Sequence, residues 1–219
     1  MTTDTEDERE VSDLLAGTAL PTAETMERLH RRLEESAERA DVLDIAYTTI
    51  DSPVGTLLLA ATERGLLRVA YENEDLDRVL DRLGTIVSPR ILRSPGRLDA
   101  AAFEIDEYFG RTRTGFDLDL DLSLSNGFRR IVQAHLPRIP YGATESYKRV
   151  AELVGNPKAV RAVGSACATN PLPIVVPCHR VLRTDGTLGG YIGGLAAKSA
   201  LLRLEAGGPP IEGSRGLIG

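Results

Sequence analysis

A cysteine followed directly by a histidine is the feature of this sequence with the clearest chemical potential. Cys178 and His179 follow an apolar run and lie between Pro177 and Arg180. A cysteine becomes a strong nucleophile as a thiolate, and neighbouring imidazole or cationic groups favour that form. The only other cysteine is Cys167, so a disulfide framework is not the obvious explanation. The pattern predicts that Cys178 attacks an electrophile, with a purely structural Cys-His pair as the alternative.

Length and composition restrict the class of protein. A chain of 219 residues, 42% hydrophobic and 26% charged, fits one large or two small globular domains. No apolar run approaches the roughly 20 residues of a membrane helix, and the acidic N-terminus lacks the pattern of a signal peptide. With two cysteines, we expect a cytoplasmic protein without a membrane partner.

The charge is unevenly distributed. The net charge is -6, and residues 1–41 contain twelve acidic and five basic side chains. Residues 127–205 instead contain eleven Lys or Arg and four acidic side chains. This basic segment could form a face that binds phosphates, or it could consist of scattered solvated bases. Charge alone leaves both interpretations open.

The first half of the sequence predicts an acidic extension and an α/β region. Residues 1–20 are expected to be disordered. From Thr22 an amphipathic helix is expected to pack on its own domain, with docking on a partner as the alternative. Its apolar positions are Met26, Leu29, Leu33, Ala37 and Ala40. A three-strand meander, two helices and two further strands should follow. The strands of the meander lie at residues 44–50, 56–61 and 66–71, and the helices at 74–83 and 98–109. The two further strands lie near Ile91 and at 116–122, where apolar residues and aspartates alternate.

The second half predicts helices around the Cys-His pair. After Asn126, three helices are expected, followed by an apolar strand ending at Cys178-His179, a glycine-rich stretch and a last helix. The helices span 127 to about 136, 145–154, Pro157 to about Ala168, and Leu195–Glu205. The second and third helices form a helix-turn-helix candidate. We therefore predict an α/β (α+β) fold with an N-terminal extension (1–43), an α/β domain (44–124), a winged-helix-like domain (125–207) and a tail (208–219).

The order of these features resembles the O6-alkylguanine-DNA alkyltransferases, also called methylated-DNA–protein-cysteine methyltransferases. The matching segments are Ile139–Gly142, Ser146-Tyr147, Gly155–Gly164, Asn170–Val181, Gly189–Tyr191 and Gly193–Leu195, with Lys198 and Glu205. The Pro-Cys-His-Arg-Val core is the most specific of them. The resemblance implies single-turnover DNA repair, in which the protein binds the minor groove, flips the base and takes the alkyl group onto its own cysteine.

The resemblance also implies catalytic roles. Cys178 would be the nucleophile, His179 would deprotonate it through a water, and Glu205 would support the imidazolium. Tyr147 would donate a proton to N3 of the departing guanine, and Asn170 would hydrogen-bond the turn that presents Cys178. The alternatives are a surface acid for Glu205 and a helix C-cap for Asn170.

Residues of the third helix would bind DNA. Arg161 would fill the gap left by the flipped base, and an ordinary phosphate contact is the alternative. Ala159, Ala162 and Gly164 would let the helix backbone approach the minor groove closely. Cys167 and Ala168 end the helix where some relatives place a basic residue, so weaker DNA binding is expected.

The glycine-rich stretch would help form the substrate pocket. The backbone carbonyls of Cys178 and Val181 would accept from the exocyclic amine of guanine. Tyr191 would help to form the pocket wall, with core packing as the alternative, and the backbone N–H near Gly193 would face O6. Ile192 is bulkier than the serine of some relatives, so it should alter pocket size or alkyl preference.

The expected partner is double-stranded DNA containing O6-alkylguanine, with O4-alkylthymine as a second candidate lesion. We expect a monomer without a cofactor. No metal is expected either, because the zinc site of some relatives needs cysteines that are missing before Cys167. Three other functions remain open: a protein that flags alkylguanine without repairing it, a helix-turn-helix transcription regulator, and a Cys-His hydrolase. Only repair consumes the protein stoichiometrically.

Overall fold

The computed structural model describes residues 22–40 and 42–208. The chain divides into two units between Val42 and Leu43. The first unit contains helix α1 (Ala23–Arg39), where the spacing of apolar residues predicts it. The expected packing of its apolar face stays a prediction. The predicted disorder of residues 1–20 and the predicted tail from residue 209 onward lie outside the described residues.

The second unit begins with a four-stranded sheet. Its strands are β1 (Ile45–Ile50), β2 (Leu57–Thr62), β3 (Gly65–Tyr71) and β4 (Ile91–Arg93). The order is β3-β2-β1-β4, with β4 parallel to β1 and the other pairs antiparallel. Gly55 turns the chain between β1 and β2 at a φ of +99°, which glycine adopts readily. The predicted meander and the strand near Ile91 are confirmed.

Both faces of the sheet are covered by apolar side chains. On β2, Leu58 and Ala60 belong to one buried cluster together with Leu83 of helix α2 (Leu76–Ile86). Successive residues of a strand point to opposite faces, so Leu57 and Leu59 belong to a second, larger cluster. Helix α3 (Asp99–Phe109) packs into that larger cluster. A strand buried on both faces explains why β2 is apolar throughout.

The strand predicted at residues 116–122 is wrong, although the alternation that suggested it is reflected in burial. Asp117 and Asp119 are exposed, and the apolar residues between them are half-buried. The segment makes a single bridge to β3, in which Leu66 donates to Asp119 and accepts from Asp121. Asp121 is buried and accepts from Thr62 and Ser123, which turns the chain away from the sheet.

Four helices and two short strands follow. They are α4 (Gly127–His135), β5 (Glu145–Ser146), α5 (Tyr147–Leu153), α6 (Val160–Ala168), β6 (Val181–Leu182) and α7 (Gly194–Glu205). Helix α5 begins where the Ser146 hydroxyl accepts from the backbone N–H of Arg149, as an N-cap does. Helix α7 ends at Glu205, and the φ of +77° at Gly207 lets its N–H and that of Gly208 donate to carbonyls of the last turn.

Two details of the predicted second half are wrong. Pro157 does not lie in the first turn of α6, because Asn156 and Ala159 close a separate turn before the helix begins at Val160. The apolar run before Cys178 is not a strand. Prolines at 171, 173 and 177 have no N–H for a ladder, and Ile174 has a φ of +74°, so the run folds into buried turns.

One hydrophobic cluster joins the sheet to the later helices. It contains Leu59 of β2, Ile105 of α3, Val163 of α6, Leu201 of α7 and Cys178 itself. The predicted α+β fold class is confirmed. Within the described part of the chain, no helix has both the length and the apolar character needed to cross a membrane.

Candidate active site

Cys178 lies in a short 3₁₀ turn (Cys178–Arg180) inside the large cluster, and only 1% of its surface is exposed. The side chain of Asn170, just beyond α6, holds it in place. The Asn170 amide donates to Cys178 Sγ at 3.1 Å and to the carbonyl of Val176 at 2.7 Å. Its oxygen accepts from the N–H of Leu172 at 3.1 Å. Asn170 thus links the thiol to α6, the helix that is predicted to bind DNA.

The thiol is protonated in the resting protein. Burial raises the pKa of Cys178 to about 11, while the hydrogen bond from Asn170 and the charge of Lys198 act in the opposite direction. Lys198 is fully buried and donates from Nζ to the carbonyl of Val181 at 2.6 Å. Nucleophilic attack by Cys178 near neutral pH therefore requires a base to take its proton.

His179 is the base that the site provides. Its ring is fully buried, and burial lowers its pKa, so the imidazole is neutral. Nε2 lies 2.8 Å from Glu205 Oε1. Hydrogen bonds from His179 and Arg180 lower the pKa of Glu205 to about 2 against the cost of burial, so the carboxylate is ionised and accepts from Nε2–H. Nδ1 then carries the lone pair, and it has no hydrogen-bond partner within residues 22–40 and 42–208.

Glu205 is fixed by more partners than the sequence predicts. Arg180 donates to both carboxylate oxygens at 2.9 Å, and Tyr108 donates from its hydroxyl at 2.7 Å. The N–H of Gly142 also donates to Glu205, at 3.2 Å. The sequence pattern does not identify Arg180 or Tyr108 as site residues. The position of Arg180 beside His179 was an available signal, whereas Tyr108 lies far away in the sequence and gave none.

A cleft of about 320 Å³ opens at α6 and is lined by residues of the predicted DNA-binding helix and of the glycine-rich stretch. Its walls include Tyr147, Arg161, Gly164, Ala168, Arg183 and Gly189. Arg161 is exposed at the second position of α6. Gly189 lies directly against Tyr147, since a Cβ at this position would lie 2.3 Å from the phenol oxygen. The fold thus brings Tyr147 and Arg161 to one surface.

Comparison with known proteins decides the family. The model of the 6-O-methylguanine DNA methyltransferase DNA-binding domain matches residues 127–207, and that of the ribonuclease-like domain matches residues 45–122. The methylated-DNA–protein-cysteine methyltransferase of Mycolicibacterium paratuberculosis is 42% identical over 161 residues, which is 74% of this chain and 92% of that protein. The chain belongs to the methylated-DNA–protein-cysteine methyltransferase family.

Other relatives extend this finding. The methyltransferase of Methanosarcina barkeri is 38% identical and covers 73% of this chain and 96% of its own length. A crystal structure of Mycobacterium tuberculosis OGT in complex with DNA is similar with a TM-score of 0.65 and 38% identity. That similarity covers 77% of this chain and 98% of the other. Family membership therefore extends across the second unit, from the sheet to α7.

Tyr147 and Tyr191, two of the predicted site residues, have different surroundings. Burial raises the pKa of Tyr147 to about 12, so its hydroxyl is a proton donor at neutral pH. The hydroxyl of Tyr191 lies 2.9 Å from that of Tyr71, and its ring contacts His179 edge-on at 6.4 Å between centroids. Gly193 packs against the ring of Tyr71, where a Cβ would approach to 2.6 Å. Tyr71, which the sequence did not single out, thus fixes the glycine-rich loop.

The other residues predicted for the pocket and for DNA binding lie in different parts of the structure. The carbonyl of Val181 already accepts from Lys198, which leaves it one lone pair for a ligand. Ile192 does not line the cleft that contains Tyr147; it lines a second cleft, and its carbonyl accepts from Asn73. Ala159 and Ala162 are half-buried at the start of α6 and do not line the Tyr147 cleft.

No metal site is evident in the part of the chain that the structure describes. There, no three His, Cys, Asp or Glu side chains form a group that could hold a metal ion. Both cysteines are free and buried, and Cys167 is an apolar member of the same cluster as Cys178. Burial raises the pKa of the Cys167 thiol, and Cys178 raises it further. The sulfur of Cys178, in contrast, accepts a hydrogen bond from the Asn170 amide.

Proposed function

We propose that this protein repairs double-stranded DNA by transferring the alkyl group of O6-alkylguanine to Cys178, and that each molecule acts once. One observation carries the proposal. Cys178 has a hydrogen bond from Asn170 on its sulfur, and it directly precedes a neutral His179 that is paired with an ionised Glu205. Family membership supplies the chemical class of the substrate.

The transfer is a single displacement at the alkyl carbon. Sγ of Cys178 forms the new bond to carbon as the bond from carbon to guanine O6 breaks. The thiol proton passes through a water to His179 Nδ1, and the nearby Glu205 carboxylate stabilises the imidazolium. The departing guanine gains negative charge, and Tyr147 donates to its N3. The proton on His179 then returns to Tyr147 through solvent, and the base takes up a proton at N1 as it loses the one at N3, so the products are an S-alkylcysteine and an unmodified guanine.

Base flipping exposes the alkyl carbon to the buried thiol. No side chain reaches that carbon inside a duplex, so the base is rotated out at a cost of a few kcal/mol. Arg161 is exposed at the start of α6 and borders the cleft that contains Tyr147. Its guanidinium fills the gap in the stack, which slows the return of the base. The small side chains of α6 let the helix approach the minor groove.

The reaction ends with a thioether, whose carbon–sulfur bond breaks only if a strong nucleophile takes the alkyl group. The one side chain described as hydrogen-bonded to Cys178 Sγ is that of Asn170, an amide that cannot attack the new carbon–sulfur bond. We therefore propose one turnover per molecule. We also propose a cytoplasmic location, since a free nucleophilic thiol is maintained in a reducing compartment.

The test follows a labelled alkyl group. The protein is incubated with a duplex containing O6-methylguanine labelled on the methyl carbon, and the labelled residue is identified by mass spectrometry. We expect one label per molecule, on Cys178, and none in Cys178→Ala. Cys167→Ala is the matched control, because Cys167 is also free and buried, and this variant should transfer normally.

Three outcomes contradict the proposal. Binding without transfer would identify a protein that flags the lesion. Release of the label over many cycles would indicate a hydrolase. Label on Cys167 would show that Cys178 is not the nucleophile. Loss of transfer in Cys178→Ala is informative only if the variant still binds the duplex, so its affinity is measured in parallel.

A further inference from the structure

A second cleft, of about 360 Å³, opens beside the C-terminal end of α6. It shares Ala168 with the cleft that contains Tyr147, so the two clefts adjoin at the end of this helix. The charged side chains that line it are four arginines and one glutamate: Arg68, Arg78, Arg82, Arg129 and Glu74. These side chains define the arginine cleft.

Three of these arginines are exposed and belong to two different helices. Arg78 and Arg82 are one turn apart on α2, so they lie on the same side of that helix. Arg129 is on α4 and donates to the side-chain oxygen of Asn126 at 3.1 Å, a neutral partner that leaves the positive charge of the guanidinium in place. Asp77 and Asp81 each precede one of the α2 arginines and point about 100° away around the helix.

The glutamate in the cleft is already neutralised. Glu74 forms an ion pair with Arg68 and accepts from the backbone N–H of Tyr71 at 2.9 Å. Arg68 also donates to the carbonyls of Val69 and Pro171, so its guanidinium is held inside the protein. The pair cancels its own charge, and the three exposed arginines give the cleft its positive potential.

We propose that the arginine cleft binds the phosphodiester backbone of the same DNA duplex that α6 engages. The inference rests on the proposed function and extends the DNA contact from α6 onto α2. Helix α6 has one basic side chain, Arg161, near its start, and ends in the uncharged Ala168. Arg78, Arg82 and Arg129 place positive charge next to that uncharged end. Phosphates flanking the flipped base are the anions that α6 brings closest to them.

The test is the salt dependence of binding to an unmodified duplex, measured with the full-length chain. Each neutralised phosphate contributes about 0.9 to the slope of log affinity against log salt. The triple variant Arg78→Gln, Arg82→Gln, Arg129→Gln should lower that slope by two to three. Raising salt from 50 to 200 mM should therefore weaken the native protein about 40-fold more than the variant. Arg203→Gln is the matched control, an exposed arginine that lines neither cleft.

A second measurement separates misfolding from loss of contact. Alkyl transfer from free O6-benzylguanine needs the thiol but no phosphate contact, so the triple variant should react at the native rate. If the triple variant is inactive there, the single variants Arg78→Gln and Arg129→Gln replace it, and each should lower the slope by about 0.9.

The proposal is overturned if the variants bind duplex with the native salt slope. It is also overturned if a mononucleotide binds the native protein at micromolar concentration, the triple variant loses that binding, and the duplex slope stays native. In that case the cleft serves a small anion. Neither result depends on transfer to Cys178, so a failure of the proposed repair reaction would be seen separately, in the labelling experiment.

Discussion

Replacing Glu205 by glutamine tests the buried ionic network beside the thiol. The substitution keeps the size of the side chain but removes the charge that Arg180, Tyr108 and His179 contact. Arg180 is 5% exposed and would remain as an uncompensated buried cation. Breaking a buried pair in this way costs about 3–5 kcal/mol.

The pKa of Glu205 gives an independent magnitude. It is lowered from 4.5 to about 2 in the folded protein, and each pKa unit corresponds to about 1.4 kcal/mol. The ionised carboxylate therefore contributes about 3 kcal/mol to the free energy of unfolding. Because the folded-state pKa is depressed, this contribution is fully present above pH 4.5 and is lost as the pH falls through 2.

Urea unfolding at several pH values measures both effects. At pH 7 we expect Glu205→Gln to lower the free energy of unfolding by about 3–5 kcal/mol, and the difference from the native protein should narrow as the pH falls toward 2. Single-turnover transfer should slow by about 10²–10⁴, because His179 loses the group that supports its protonated form. Glu152→Gln is the control: its exposed pair with Arg149 should be worth less than about 1 kcal/mol.

The reasoning is refuted if Glu205→Gln unfolds at the native urea concentration, or if its destabilisation is independent of pH between 7 and 3. A variant that is stable but slow would mean that the network serves catalysis alone. A variant that is unstable but reacts at the native rate while folded would remove the assigned role of Glu205 in supporting His179.

Three further perturbations have defined outcomes. Asn170→Ala removes the hydrogen bond that lowers the pKa of Cys178, so the pH profile of transfer to Cys178 should move to higher pH; an unshifted profile contradicts this role. Arg161→Ala should slow repair of duplex by about ten- to a hundredfold, since the lost contact is worth a few kcal/mol, while free O6-benzylguanine reacts normally; equal losses on both substrates argue against the intercalating role. Tyr71→Phe removes the hydroxyl contact with Tyr191 and should lower the free energy of unfolding by about 1 kcal/mol, as measured by thermal denaturation; an unchanged melting temperature would show that the contact contributes nothing.

Local pattern was enough to predict most of the elements. The apolar spacing of α1 and the strand-forming segments of the meander are signals that act over a few residues, and these elements formed where the sequence predicts them. The strand predicted at 116–122 was wrong because period-two burial does not by itself supply a partner strand. Here the partner, β3, makes hydrogen bonds to the segment through Leu66 alone.

The site could be predicted only as far as its residues are close in sequence or shared with the family. Cys178, His179 and Asn170 lie within nine residues of one another, and the resemblance added Glu205. Tyr108 and Tyr71 come from α3 and β3, and their contacts with Glu205 and Tyr191 depend on tertiary packing. No periodicity or motif marks such contacts, so the sequence could not identify these two tyrosines.

The shared hydrophobic cluster has a consequence for synthesis on the ribosome. Leu57, Leu59 and Ile105 are made early, yet they pack with Val163 and Leu201, which are made later. At about 5–20 residues per second, the roughly 100 residues from Ile105 to Leu201 take about 5–20 s to appear. During that interval one face of the sheet has only α3 to cover it, because the later helices of the cluster are not yet made. The site around Cys178 can assemble only after α7 has left the ribosome, because Glu205 and Leu201 belong to that helix, so the nascent chain cannot transfer an alkyl group before then.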